Sequence, residues 1–155
     1  PVLSTQYPVT STKHNNMQQI ITTLNNGITM PLLGLGVYNM YHNEAEAAVE
    51  KALEIGYRLI DTAALYNNES EIGNAIRRSQ VPRNAIFLTT KVGNNDQGYD
   101  NTLRAFDISS KKLNADYIDL YLVHWPIKAT RRETWQALER LYQEKRVRAI
   151  GVANY

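Results

Sequence analysis

The chain has 155 residues, 43% of them hydrophobic and 21% charged, with a formal net charge of +2. That length and balance fit one globular domain with a sizeable core, and the small basic surplus holds no block that would bind nucleic acid. There is no cysteine, which excludes disulfides and thiolate metal sites and fits a reducing, cytoplasmic setting. No apolar run is long enough for a membrane span, and no signal-peptide pattern opens the chain. Pro1 in first place points to a processed or cut N-terminus.

Residues Pro1–Gln18, rich in Ser, Thr, Asn and Gln, read as a flexible extension in which His14 is a surface residue. From Gln19 to Met30 two strand-like runs flank Asn25-Asn26-Gly27, and Asn-Gly supplies the positive φ values of a tight hairpin turn. Leu32–Tyr38, LLGLGVY, reads as a buried strand. Its Gly34 and Gly36 mark a close approach of backbone or ligand; without a third glycine or a helix opening there, they are not a dinucleotide fingerprint. Asn43–Ile55 is a predicted helix, with Asn43 as cap, Glu46 at the capping-box position, and an apolar face of Ala45, Ala48, Val49, Ala52 and Ile55. Gly56 ends it. Leu59–Thr62 is the next strand, Glu69–Ser79 a helix with Ile72, Ala75 and Ile76 inward, and Ile86–Lys91 a strand. Asp100 is the predicted cap of a third helix carrying Leu103, Phe106, Ser110 and Leu113 on one face. Ile118–His124 is a strand stopped by Trp125-Pro126. A fourth helix runs from Arg131 to Lys145 behind a Thr130/Glu133 capping box, with Trp135, Leu138, Leu141 and Tyr142 inward, and Arg148–Ala153 is a last strand. Strand and helix alternate throughout, so the fold class is α/β with a parallel sheet: a doubly wound sheet or a (β/α)₈ barrel.

Parallel strands bring their C-terminal ends to one face. There the chain places Gly36-Val37-Tyr38, then Asp61 with Tyr66 just beyond, then Lys91, His124-Trp125 and Asn154. Each has a bland reading: Asp61 as a helix cap, Tyr66 and Trp125 as packing, Lys91 as a solvated strand end, His124 as a core imidazole, Asn154 as a turn residue. An acid, a phenol, an amine and an imidazole on one rim is harder to assign to packing alone. A phenol is a poor acid near neutral pH, and a neighbouring ammonium favours its ionised form. Lys91 can act so on Tyr66, Asp61 can hold Lys91, and His124 can bond the oxygen that Tyr66 protonates. Such an acid suits reduction of a carbonyl, and the hydride must come from a nicotinamide cofactor.

The motifs LIDTAALYNNE (Leu59–Glu69), TTKV (Thr89–Val92), LVHWP (Leu122–Pro126) and IGVANY (Ile150–Tyr155), with the opening LNNGITMPLLGLGVY, resemble those of the aldo-keto reductase family in order and spacing. The resemblance covers Gln19–Tyr155. It implies a (β/α)₈ barrel, behind an N-terminal hairpin, that reduces aldehydes and ketones with NADPH and without metal; NADH stays open. It implies Tyr66 as proton donor, Lys91 and Asp61 as the groups that tune it, and His124 as the group that orients the carbonyl. Gly36, Val37, Tyr38, Asp61 and Asn154 would lie near the nicotinamide, and Tyr38, Trp125 and His124 would line the substrate pocket. Ala153 stands where the family commonly has a serine that bonds the carboxamide, and Val37 replaces a common threonine.

A complete barrel needs about 250 residues, so residues 19–155 are expected to be a partial barrel domain, through the fifth barrel strand, of a longer protein and inactive alone. The full-length protein is expected to be a monomer or weak dimer acting on a small carbonyl compound. The alternatives are a non-catalytic nicotinamide-binding regulatory protein on the same scaffold, two copies pairing their open sheet edges, or a glycosidase using Asp61 and Glu69. Against the last stands the place of Glu69 at a helix start.

Overall fold

The structure, a computed structural model, describes residues 19–155; the expected extension over residues 1–18, with His14, lies outside them. Strands β1 (Ile21–Thr23) and β2 (Thr29–Pro31) form the antiparallel hairpin. Its turn is closed by the Gly27 N–H donating to Leu24 O at 2.9 Å. Within this turn only Gly27 takes a positive φ, +84°, so the glycine alone meets the steric demand and the expected Asn-Gly pair is corrected. Asn26 instead donates through Nδ2 to Arg148 O at 2.9 Å, tying the hairpin to the start of the last strand.

The main sheet is parallel and five-stranded: β3 (Leu35–Gly36), β4 (Leu59–Asp61), β5 (Phe87–Val92), β6 (Ile118–Val123) and β7 (Val147–Val152). Its order follows the chain, β3-β4-β5-β6-β7, without reversal. A doubly wound sheet reverses at a switch point; this one does not, and it is the first part of a (β/α)₈ barrel. Helices α1 (His42–Glu54), α2 (Glu69–Arg78), α3 (Tyr99–Leu113) and α4 (Arg131–Gln143) connect the strands, and each packs on the next.

Every residue of the central strand β5 is buried. Its side chains alternate: Leu88, Thr90 and Val92 face the helix layer, where Thr90 meets Glu69 of α2, and Phe87, Thr89 and Lys91 face the concave side. Between sheet and helices lie Val49, Leu53, Ile72, Leu88, Phe106, Leu113, Tyr121, Leu138 and Leu141. Each such aliphatic or aromatic side chain contributes about 1.5–3 kcal/mol by leaving water. At the N-terminal ends of the strands the fully buried Asp119 accepts from Arg83 (2.8 Å), Arg148 (2.6 Å) and the Leu88 N–H (3.0 Å).

Several local expectations are corrected. The predicted strand Leu32–Tyr38 shrinks to Leu35–Gly36, because the chain turns back at once, with Met40 N–H on Val37 O; Leu32 and Leu33 are exposed. Gly34 does mark a close approach, since a Cβ there would stand 2.2 Å from the Leu59 side chain. Helix α1 starts at His42 without a side-chain cap, and Glu46 reaches across to Asn74 and Arg78 of α2. Leu53 takes the inward place expected for Ile55, which is exposed past the helix end. Helix α3 opens after Gly98 rather than at Asp100, and Thr102, Ala105 and Ser109 join its buried face. Thr130 occupies the N-cap of α4 but makes no cap bond, and Tyr142 is exposed while Thr134 and Ala137 are buried. Four parallel helix connections survive these shifts because the 3.6-residue stripes, not the caps, set which faces meet.

Candidate active site

The first component of the rim is an ion pair. Lys91, next to last in β5, reaches across β4 and donates to Asp61 Oδ1 at 2.5 Å and to Thr62 O at 2.9 Å. The Lys91 side chain is 8% exposed and that of Asp61 33%, so the ammonium is held from the protein side and the carboxylate keeps contact with water. Parallel pairing makes this reach short: Asp61 is in register with Thr89, two residues before Lys91 and on the same face.

Beyond β4 the chain makes one 3₁₀ turn, Ala64–Tyr66, ended by Asn67 at φ 55°. Asparagine is one of the few side chains that take this left-handed backbone readily. The turn lays the half-buried Tyr66 ring over the pair, with Lys91 Nζ 5.2 Å from the ring centroid. The Tyr38 ring lies 5.1 Å from Tyr66 on one side, and the His124 ring stands edge-on at 5.7 Å on another. Four residues from three strand ends, Asp61, Tyr66, Lys91 and His124, therefore meet at one place.

His124, just past β6, is 6% exposed, and its Nδ1 has no hydrogen-bond partner among the described residues. Burial, reinforced by the Lys91 charge and opposed by Asp61, holds its pKa below the usual histidine value. A neutral imidazole with one N–H to offer results. Asn154, at φ 61°, donates through Nδ2 to His124 O at 2.8 Å. That bond fixes the end of β6, and Asn154 still offers a ligand its amide oxygen and its second amide N–H. Trp125 is about half exposed and Tyr38 largely exposed, so both present aromatic surface at the rim.

The residues expected near a nicotinamide divide. A Cβ on Gly36 would meet nothing within 4 Å, so that strand end stands clear beside Asp61. Val37 is corrected: it is fully buried in the core, with its N–H on Asp61 O and its carbonyl accepting from Asn68, and it has no surface to give a ligand. The Ala153 N–H donates to Val123 O, and its methyl supplies no hydroxyl. Open space at Gly36, a part-exposed carboxylate and an exposed amide at Asn154 fit a polar, flat cofactor group in kind. Among the described residues no group of His, Cys, Asp and Glu could hold a metal ion, and no helix is long and apolar enough to cross a membrane.

Two polar residues escaped the sequence reading, Asn68 and Gln97, and a third, Glu69, is more buried than a helix-start acid implies. Asn68 is fully buried and bonds Thr62, Val37 and Met40. Gln97 is buried and donates through Nε2 to Trp125 O at 2.8 Å, holding the loop that carries Trp125. Glu69, 1% exposed, accepts from Thr90 Oγ1 at 2.7 Å on the helix side of β5, turned away from the Lys91 side. Burial raises its pKa, against hydrogen bonds from Thr90 and Ser109. The signal for the two amides was polar residues beside motif positions, which periodicity does not weigh.

A parallel β/α sheet in consecutive order, with acid, amine, phenol and imidazole gathered beyond its strand ends, defines a barrel-type enzyme scaffold. The chain belongs to the aldo/keto reductase family, whose family model matches residues 32–155. It is 54% identical over 134 residues to a 9,11-endoperoxide prostaglandin H2 reductase of Trypanosoma cruzi, covering 86% of this chain and 47% of that protein. It is 51% identical over 133 residues to a glyoxal reductase of Bacillus subtilis, covering 85% of this chain and 48% of that protein. Among solved structures it superposes on a mutant of Gox0644 in complex with NADPH with a TM-score of 0.83 at 42% identity, covering 89% of this chain and 50% of that one. The chain thus spans about half the length of the curated relatives it matches.

Proposed function

We propose that the protein carrying this chain reduces aldehydes and ketones to alcohols with NADPH, and that Tyr66 is the proton donor. The observation that carries this reading is the Asp61–Lys91 pair beneath the Tyr66 ring, with the neutral His124 edge-on beside it. When bound, the dihydronicotinamide supplies a hydride to the carbonyl carbon. Tyr66 gives its phenolic proton to the carbonyl oxygen as charge builds there, and the Lys91 ammonium stabilises the phenolate left behind. Asp61 holds the Lys91 ammonium in place. His124 donates its one N–H to the same oxygen and so orients the carbonyl. Tyr38 and Trp125 wall the pocket with aromatic surface and favour compact or aromatic aldehydes. Gly36, Asp61 and Asn154 would hold the nicotinamide end of the cofactor, with the Asn154 oxygen available to a carboxamide.

The NADPH bound by the Gox0644 mutant supports this choice of cofactor, and the relative named for glyoxal supports small carbonyl substrates. The protein is proposed to work in the cytoplasm as a monomer or weak dimer, on a small molecule and without nucleic-acid or membrane partners. The test is NADPH oxidation by the complete protein offered glyoxal and aromatic aldehydes, alongside NADPH binding by fluorescence. Aldehyde-dependent oxidation with formation of the alcohol is expected. Tight NADPH binding with no turnover of any aldehyde would favour the regulatory, non-catalytic alternative.

A further inference from the structure

Asn68 holds the N-cap position of α2, where asparagine is favoured for its side-chain cap, yet it makes no cap bond. Its amide is used elsewhere. Oδ1 accepts from Thr62 Oγ1 at 2.8 Å, and Nδ2 donates to Val37 O at 2.8 Å and to Met40 O at 3.0 Å. Both amide hydrogens are therefore committed, and the residue is 0% exposed. Each partner adjoins a member of the site. Thr62 follows Asp61 and accepts from Lys91 Nζ through its own carbonyl. Val37 and Met40 bracket Tyr38, whose ring packs on Tyr66. Asn68 itself lies two residues after Tyr66, across the left-handed Asn67.

We propose that Asn68 is a positioning residue: it clamps the turn that carries Tyr66 between the Lys91 wall and the Tyr38 wall, and so sets where the phenol stands. This assignment rests on Tyr66 being the proton donor. An aspartate at this position would fill the cap equally and suit the helix dipole better, but it has no N–H for the two carbonyls. The donors, not the cap, are what the site requires. Displacing a reacting group by about 1 Å can cost about 100-fold in rate.

The experiment uses the complete protein and three variants: Asn68→Asp, Thr62→Val and Tyr66→Phe. It reads kcat per NADPH-binding site, the primary isotope effect with NADPH deuterated at C4, and the NADPH Kd. A smaller folded fraction leaves the per-site rate and the isotope effect unchanged, so these readouts separate positioning from plain stability. Asn68→Asp is expected to lower the per-site kcat by about 10- to 100-fold, raise the isotope effect, and leave Kd within about threefold. Thr62→Val, which removes one of the three bonds, shifts both in the same direction by less. A per-site kcat and isotope effect in Asn68→Asp equal to the parent's overturn the proposal. If Asn68→Asp does not fold, parental values in Thr62→Val overturn it. Retained turnover in Tyr66→Phe would instead remove the proton-donor reading on which the proposal stands.

Discussion

Replacing Lys91 by methionine keeps the apolar stem of the side chain and removes its charge. Lys91 Nζ has two partners, Asp61 Oδ1 at 2.5 Å and Thr62 O at 2.9 Å, and both lose their donor. The Thr62 carbonyl is left unpaired at a cost of about 1–3 kcal/mol. The Asp61 carboxylate is one-third exposed and rehydrates, which keeps the loss at the low end of the ~3–5 kcal/mol for breaking a buried pair. A net loss of about 3 kcal/mol lowers Tm by about 6–12 °C in a domain of this size. The rate effect is larger. A positioned acid contributes about 10²–10⁴-fold, and a phenol with no ammonium beside the phenolate it leaves forfeits most of it, so kcat should fall at least about 100-fold. The assay is aldehyde-dependent NADPH oxidation by the complete protein, at a temperature where circular dichroism shows the variant folded. A folded Lys91→Met variant with kcat within about threefold of the parent would refute the role given to the ammonium.

Two buried titratable groups should give pH dependences of opposite sign. Burial raises the Glu69 pKa, so its stabilisation is complete below the unfolded value of about 4.3 and is lost as pH rises through the folded pKa. Glu69→Gln, uncharged throughout, should flatten that fall in a Tm-against-pH series; an unchanged series would contradict the buried carboxyl. Burial lowers the His124 pKa, so the unfolded chain takes up a proton first, and stability present above about pH 6.5 is lost as pH falls from there through the folded pKa. His124→Gln should remove this acid-side loss, and a persistent loss would place it on another group. At Gly36 a Cβ meets nothing, so Gly36→Val should shift stability by no more than about 0.5 kcal/mol. It should weaken NADPH binding by about tenfold or more, about 1.4 kcal/mol; unchanged affinity by titration would move the cofactor away from that strand end.

The order of strands and helices was legible because apolar stripes and turn residues alternate cleanly from Leu59 to Val152. The meeting of Asp61, Tyr66, Lys91 and His124 was legible because parallel strands put their ends on one rim. Caps were read poorly: Asn43 and Asp100 lost the cap place to Tyr41 and Gly98, and Thr130 holds its N-cap without the expected side-chain box. Val37 looked like a rim residue from its place beside Gly36, but period-2 alternation turned it into the core. Asn68 and Gln97 were invisible because a buried amide announces itself only by the carbonyls it meets, and these come from 28 to 31 residues away in sequence. Glu69 read as a helix-start acid and is one, yet its burial against Thr90 depends on the packing of α2 on β5.

That Tyr66 gives the proton is tested most directly by Tyr66→Phe in the complete protein. The ring and its packing on Tyr38 and His124 are preserved, and only the hydroxyl is lost. Aldehyde reduction should fall by at least about 100-fold in kcat while NADPH binds as before. Turnover within about tenfold of the parent, with NADPH still bound, would contradict it.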